Sequence, residues 1–154
     1  MSIKKYRLTG SYPYKMDVKC RVSIPGDWRS QIGNGELQLL QSSNEKLPTL
    51  RVLTVCEFEK MQSEVEESDL TPAKKRAILG ALFERCNKTY INEQGKLCIP
   101  KALLDHPGLV AGEPLQLCGR GDYIEILNEA NHVKLRSANP VSYTHLTLPT
   151  TPYV

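Results

Sequence analysis

The sequence contains one nine-residue segment twice, and this repetition limits what the chain can fold into. Residues 17–25 read DVKCRVSIP, and residues 92–100 read NEQGKLCIP. Both copies open with Asp or Asn, carry a cation at the fifth position and end in Ile-Pro. Such a repeat indicates one structural unit built twice, and the units tend to pair because neither can bury its apolar face alone. Two cations at equivalent points of a pseudo-symmetric body suit a repetitive anionic partner.

The positive charge of the chain is concentrated in its first third. The net charge is only +3, but residues 1–47 hold eight Lys or Arg against four Asp or Glu. Residues 48–91 hold seven of each kind, and residues 92–154 hold five against six. The first copy of the repeat is therefore predicted to face an anion more strongly. A basic face that is merely solvated is the alternative.

The five cysteines, at positions 20, 56, 86, 98 and 118, show neither a C-x-x-C pair nor a nearby His at ligand spacing. This odd, scattered set predicts reduced thiols that act as small apolar residues, with no metal site. The N-terminus has cations without an apolar run behind them, and no stretch approaches the roughly 20 apolar residues of a membrane span. We therefore expect a soluble, intracellular protein that does not enter a membrane.

No arrangement typical of an enzyme is visible. The sequence shows no Ser-His-Asp order, no carboxylate pair in a plausible cleft and no glycine loop of the kind that cradles phosphate. His106 and His132 stand alone, and lone histidines are more often structural. We expect no catalytic residue, no cofactor and no small-molecule substrate.

Each copy of the repeat predicts the same order of elements. In the first copy a turn at 17–20 leads into a strand at 21–24, which Pro25 ends. Asp27 is predicted to cap a short helix from Trp28 to Ile32 that Gly33 closes. Strands follow at 37–40 and 50–53. The second copy predicts a strand at 96–99, a short helix at 101–104, and strands at 114–118 and 123–127 around the Gly-Arg-Gly-Asp turn at 119–122.

Longer helices separate and follow these strands. Residues 57–67 carry apolar side chains on one face, and a second helix is predicted from the Thr71-Pro72 cap to about Lys88. A weaker helix is predicted from Asn128 to Asn139. The final segment, residues 141–154, has no charged side chain and no helical or strand period. We interpret it as a disordered tail outside the fold, similar to stretches that end unrelated conceptual translations, and we do not expect it to be native.

The paired turn-strand-proline segments, each followed by a strand pair and a helix, resemble the MraZ family. These are bacterial regulators built from two AbrB-type swapped-hairpin units, and the resemblance covers roughly residues 6 to 136. It implies an α+β fold in which two pseudo-repeated units form a small double-psi-like barrel with flanking helices. The first unit is expected at 6–53, a helical connection at 54–89 and the second unit at 90–136.

The chain departs from the family pattern, Asp-x-x-x-Arg with Gly just before Arg, at one position of the first copy and at two positions of the second. The first copy keeps Asp17 and Arg21 but has Cys20 in place of the glycine. Since cysteine adopts a positive φ less readily, this turn is predicted to differ in shape, and a longer strand from Val18 to Ile24 is possible. The second copy keeps its glycine but replaces Asp and Arg. These departures indicate a divergent member.

The resemblance implies a sequence-specific DNA-binding transcription regulator that acts on the promoter of the division and cell-wall gene cluster. Such proteins bind double-stranded DNA, assemble into ring-like homo-oligomers, and work in the cytoplasm at the nucleoid. Arg21 is the candidate for a base-edge contact, because Arg pairs bidentately with guanine. An ion pair with Asp17 is the alternative role of Arg21, and the two roles are compatible. The remaining predicted residues position phosphates (Lys15, Lys19 and Lys96) or organise the turns (Asp17, Asn92 and Gly95).

A second hypothesis is an oligomeric protein-interaction module, or an AbrB-like antitoxin, that has lost strong DNA binding. The missing Arg of the second copy motivates it, since Lys96 lacks the planar bidentate fork of a guanidinium. Ring formation without nucleic acid would favour this class.

Overall fold

A computed structural model describes residues 6–42 and 46–138 of the chain. The tail at 141–154 lies outside the described residues. The structure combines helices with antiparallel strands, and so it confirms the α+β class. The strands are β1 (Ser11–Lys15), β2 (Arg21–Ser23), β3 (Leu37–Gln41), β4 (Leu50–Thr54), β5 (Asn87–Thr89), β6 (Lys96–Cys98), β7 (Pro114–Gly119) and β8 (Tyr123–Asn128), and the helices are α1 (Gly26–Ile32), α2 (Val55–Glu66), α3 (Pro72–Arg85) and α4 (Glu129–Ala138), with a 3-10 turn at Lys101–Leu103.

The strands form two antiparallel sheets. Six strands follow the order β1-β7-β8-β4-β3-β5, and β2 pairs with β6 in a separate two-stranded ribbon. The large sheet is pseudo-symmetric, because each strand and its counterpart about 75 residues away occupy equivalent positions on the two sides of the sheet centre. β4 lies beside β8 at the centre, β3 and β7 flank them, and β5 and β1 form the edges. Most pairings therefore join residues that are far apart in the sequence.

The core lies between these sheets and the short helix α1. Alternating residues of the strands are buried, among them Val22 and Leu97 of the ribbon, as period-2 patterning requires. Trp28 of α1 is fully buried, and its indole Nε1 donates to the Thr9 carbonyl at 2.8 Å. The Tyr12 ring meets the indole edge to face, with 5.2 Å between ring centroids. Trp28 thus fixes α1 against the start of β1.

Several predicted boundaries are correct, but the predicted end of α3 is wrong. The strands expected at 37–40, 50–53, 114–118 and 123–127 and the weak helix α4 all form, each within about one residue of its predicted bounds. Helix α2 also forms, and it begins two residues before its predicted start. Thr71 caps α3 as expected, since its hydroxyl accepts from the Lys74 N–H at 3.2 Å. However, α3 ends at Arg85 and not near Lys88, because residues 87–89 pair with β3.

The cap of α1 and the first strand also differ from expectation. Helix α1 begins at Gly26 after Pro25, and Asp27 lies in its first turn without making a side-chain cap. Strand β1 was not predicted because it is exposed along most of its length and contains Pro13. It forms at the edge of the sheet, where a proline is tolerated because one row of backbone donors is unpaired there.

Helices α2 and α3 pack on each other as a hairpin with the Phe58 and Phe83 ring centroids 5.7 Å apart. Neither helix contributes a buried residue. Among the described residues, no helix combines the length and apolar character needed to cross a membrane.

Candidate nucleic-acid interface

The two repeated turns lie at opposite ends of the β2–β6 ribbon. Arg21 pairs with Cys98 and Ser23 pairs with Lys96, so each turn leads into one strand and adjoins the end of the other. Ile24 donates its N–H to the Gly95 carbonyl at 3.0 Å. At the other end, Ile99 donates to the Cys20 carbonyl at the same distance of 3.0 Å. Each turn is thus closed by the Ile-Pro end of the other copy.

The same hydrogen bonds hold both turns. Asp17 Oδ1 accepts from the N–H groups of Lys19 and Arg21, each at 2.9 Å. In the second turn Asn92 Oδ1 accepts from the residues at the equivalent positions, 94 and 96, also at 2.9 Å. A side-chain oxygen that bonds the backbone two residues on is the usual way in which Asp and Asn organise a turn.

Cys20 adopts the conformation that glycine adopts in the second turn. Its φ is 61°, and the φ of Gly95 is 77°. The expectations of a different turn shape and of a longer strand from Val18 to Ile24 are therefore wrong. Because the thiol side chain is buried and Asp17 holds the turn from outside, the surrounding structure imposes the left-handed conformation despite its cost for cysteine.

Two of the predicted cations converge on one carboxylate. Arg21 Nε lies 2.9 Å from Asp17 Oδ2, and Lys96 Nζ lies 3.7 Å from the same oxygen. The backbone N–H of Arg21, followed by its guanidinium and the Lys19 N–H, lowers the pKa of Asp17 against the opposing effect of burial. The ion pair considered for Arg21 is therefore present. Arg21 makes this ion pair through Nε, and about 30% of its side chain is exposed to solvent.

The other two predicted cations lie beside this cluster. Lys19 is exposed on the first turn, and Lys15 is exposed at the end of β1, two residues before Asp17. The structure thus brings the Arg21 and Lys96 side chains together at Asp17, with Lys19 on the same turn as Asp17 and Lys15 on the strand that leads into it.

A further cation, Arg29, was missed in the sequence and lies on the second turn. Its Nε donates to the Ile24 carbonyl at 3.0 Å. A Cβ added at Gly95 would come within 2.7 Å of Arg29 Nη1, so the guanidinium lies directly against this turn. The only signal in the sequence is a cation four residues after the first Ile-Pro proline. This signal does not indicate that the Arg29 side chain would contact the second copy of the repeat.

The tips of the two turns differ in character. Val18 is 81% exposed at the first tip, whereas an acidic residue, Glu93, is exposed at the equivalent position of the second. An acid at the tip disfavours close approach to phosphate, so the first turn is the more suitable for an anionic polymer.

The thiols and acidic groups of the described residues do not form a metal-binding cluster. No group of three or more His, Cys, Asp or Glu side chains in this part of the chain is placed to hold a metal ion. Burial raises the pKa of the Cys56, Cys86 and Cys118 thiols, which keeps them protonated and weakly nucleophilic at neutral pH.

Comparison with known proteins shows that MraZ proteins of several bacteria are similar to this chain along most of its length. No family model matches it. The transcriptional regulator MraZ of Alkaliphilus oremlandii is 25% identical over 137 residues, which cover 89% of this chain and 92% of that protein. MraZ of Rickettsia canadensis is 25% identical over 137 residues, 86% of this chain and 89% of that protein. MraZ of Thermus thermophilus is 26% identical over 120 residues, 78% and 81% of the two chains.

A solution structure of a Pyrococcus horikoshii protein covers 75% of this chain and 94% of that chain, at 17% identity and a TM-score of 0.36, which is too low to support an argument about the fold. The curated relatives come from diverse bacteria and are named transcriptional regulators, which supports a transcription regulator as the class of this protein. Within that class, the similarity to MraZ proteins extends over 78–89% of this chain at 25–26% identity, as expected of a divergent relative.

Proposed function

We propose that the chain binds double-stranded DNA in a sequence-specific manner and regulates the promoter of the division and cell-wall gene cluster, as a regulator of the MraZ type. The observation that carries this proposal is the cationic outer face of the β2–β6 ribbon. Arg21 and Lys96 lie on that face, and Lys19 and Arg29 lie at its two turns. No described carboxylate other than Asp17 pairs with Arg21 or Lys96.

The shape of this face suits a DNA groove. The major groove admits a two-stranded β-ribbon, and a guanidinium there can pair with the O6 and N7 atoms of guanine. Arg21 makes the base-edge contact in this proposal, while Lys15, Lys19 and Lys96 neutralise phosphates. Asp17, Asn92 and Gly95 hold the turns in shape, and Arg29 adds a guanidinium at the second turn.

Asp17 has a second role in this proposal. Its carboxylate orients Arg21 through Nε before DNA is bound and partly offsets the charge of Lys96. A guanidinium of Arg21 that is already oriented favours contacts with base edges. The lower net charge around Arg21 and Lys96 weakens binding to DNA of unrelated sequence. Asp17 thus favours specific over non-specific binding.

The proposal includes the arrangement of two swapped-hairpin units, at 6–53 and 90–136, joined by the connection at 54–89 and forming a double-psi-like barrel. The pairing of β1 with β7, of β5 with β3 and of β2 with β6 supports this arrangement, because each pair joins strands from different parts of the chain. Two equivalent turns on one rigid body would then contact DNA together.

Self-association into a ring-like homo-oligomer, in the cytoplasm and at the nucleoid, completes the proposal. The α2–α3 hairpin supports it, since neither helix has a buried residue, and Ile78 and Phe83 of α3 are 42% and 49% exposed. Exposed apolar surface of this kind marks an interaction site. Linking several weakly binding units raises the overall affinity for repeated DNA sites.

The same apolar hairpin favours a second candidate function. If its natural partner is a different protein, the chain is an oligomeric interaction module or an AbrB-like antitoxin without strong DNA binding. The replacement of Arg by Lys96 in the second copy is in keeping with that candidate, because Lys cannot form a bidentate pair.

Fluorescence anisotropy of the full chain on DNA from upstream of its own gene tests the proposal. Three proteins are compared: the parent, Arg21→Ala, and Arg76→Ala as a control that removes the same charge from the exposed start of α3. We expect binding that Arg21→Ala abolishes and Arg76→Ala retains. Absence of binding by the parent even at low salt would refute the DNA-binding function and favour the interaction module. Equal losses in both variants would refute the special role of Arg21.

A further inference from the structure

A second cationic site lies at the far end of β1 from the first turn. A cavity of about 400 Å³ opens there between the start of β1, the strand β7 and the helix α4. Its polar lining includes Ser11, Gln116, Arg120, His132 and Arg136. None of the described lining residues is an Asp or Glu. The cavity is therefore cationic, and none of the four cations predicted from the sequence contributes to it.

Arg120 is held in place from the sheet side. It lies in the turn between β7 and β8, and its Nε donates to Glu125 Oε1 at 3.0 Å. Glu125 also accepts from the Thr49 hydroxyl at 2.7 Å and lies 3.5 Å from Arg51 Nε. Since this carboxylate is shared between two guanidiniums and a hydroxyl, it does not neutralise the whole positive charge around the cavity.

The helix side of the cavity adds two more groups. His132 and Arg136 lie one turn apart on α4 and both line the cavity. Burial lowers the pKa of His132, and the nearby Arg136 and Arg120 lower it further. Neither the His132 ring nor Arg136 forms a hydrogen bond or ion pair with another residue of the described ranges 6–42 and 46–138. The cavity thus disfavours an additional cation, and no carboxylate of the described ranges compensates the charge of Arg136.

Neutral donors complete the lining. Gln116 Nε2 donates to Ser11 Oγ at 2.6 Å, and the same hydroxyl lies 3.6 Å from Cys118 Sγ, within hydrogen-bond distance of the thiol. Neighbouring guanidiniums are typical of sites that bind phosphate, because the planar guanidinium group matches two phosphate oxygens. A cavity of this size is also in the range of small-molecule sites.

We propose that the cavity lined by Arg120, His132 and Arg136 binds a phosphoryl group. The phosphoryl group belongs either to a small phosphorylated molecule or to the backbone of bound DNA. The site stands apart from the ribbon proposed to read bases, because β1 separates it from the first turn. Occupation by a small molecule would make the regulator responsive to a metabolite.

Binding is tested with inorganic pyrophosphate as the probe and the His132 ring protons as the NMR signal, assigned with a His132→Gln variant. We expect saturable shifts of the His132 signals in the parent protein and in Lys134→Gln, a control that removes a charge from the exposed side of the same helix. Arg136→Gln, at an exposed position that should not disturb folding, should weaken the binding at least tenfold. Unshifted His132 signals in the parent, or equal binding by Arg136→Gln, would overturn the proposal.

The source of the phosphoryl group is decided by DNA titration of the same variants. A DNA affinity of Arg136→Gln within twofold of the parent, together with lost pyrophosphate binding, identifies a small-molecule site. A weaker DNA affinity with a salt slope reduced by about one identifies a contact with the DNA backbone. Failure of the parent to bind DNA would refute the proposed function and leave the pyrophosphate result unaffected.

Discussion

Cys20 and Gly95 hold the same left-handed backbone conformation, at φ values of 61° and 77°, in turns that precede two paired strands. The carbonyl of each residue accepts a hydrogen bond from the N–H of the isoleucine near the end of the other copy. The conformation at one turn is therefore coupled to the strand end of the other, and the ribbon forms as a unit. Five predictions follow from this geometry and its surroundings.

The first prediction concerns the cost of cysteine in the left-handed region. Replacing Cys20 by glycine removes a conformational penalty of about 1–2 kcal/mol but also the buried thiol, so Cys20→Gly should change the free energy of unfolding by about 1 kcal/mol or less. Cys20→Val should lose about 2 kcal/mol or more, because a β-branched residue fits this conformation poorly. Urea unfolding measures both. Equal stability of the two variants would contradict the imposed conformation.

The second prediction separates the two roles of Asp17. Asn92 holds the second turn with the same hydrogen bonds, so Asp17→Asn should retain the first turn. The variant frees Arg21 and Lys96 from a carboxylate, and its affinity for DNA of unrelated sequence should rise, with a salt slope steeper by about one. Asp17→Ala, which lacks the turn-forming oxygen, should bind all DNA more weakly. Weaker non-specific binding by Asp17→Asn would contradict this account.

The third prediction follows from the lowered pKa of Asp17. A carboxylate whose pKa is lower in the folded protein stabilises the fold above its unfolded pKa, and this contribution is lost as the pH falls through the folded value. Stability should therefore decline as the pH falls below the ordinary pKa of an aspartate, and part of that decline should be missing in Asp17→Asn. Thermal unfolding of both proteins between neutral and strongly acidic pH measures the difference. Parallel profiles would show that Asp17 does not contribute.

The fourth prediction is the salt dependence of DNA binding. If about four cations of each protomer neutralise phosphates, log affinity should fall against log salt with a slope of roughly −3 to −4 per bound protomer. Arg29→Ala should make the slope shallower by about one and weaken binding about tenfold if the guanidinium at the second turn contacts phosphate or a base. Anisotropy titrations between low and high salt measure both values. Binding that does not change with salt would contradict the electrostatic mechanism.

The fifth prediction concerns the anchor of α1. Trp28→Ala should destabilise the protein by about 3–5 kcal/mol, because it leaves a large cavity in the core. Trp28→Phe should cost less, about 1–3 kcal/mol, chiefly through the loss of the bond from Nε1 to the Thr9 carbonyl. Chemical unfolding followed by circular dichroism gives both values. A mild effect of Trp28→Ala would show that α1 is held by other contacts.

Much of the secondary structure could be predicted because its signals are local. The alternation of buried and exposed residues in β3 and β8, and the Thr71 cap of α3, depend on neighbours within a few residues. The repeated Asp17 and Asn92 turns were visible for the same reason, since each side chain bonds the backbone only two and four residues on.

The sequence by itself therefore determined the class of fold, the positions of the two turns, most of the strands and the cations of the first copy. Only the tertiary structure decided that residues 87–89 leave the helical pattern to pair with β3, that Pro13 lies in an edge strand, and that Arg29 reaches the turn of Gly95. The physical reason is the range of the interactions: periodicity and capping act within one turn of chain, whereas strand pairing and the approach of side chains from separate copies depend on how the whole core packs.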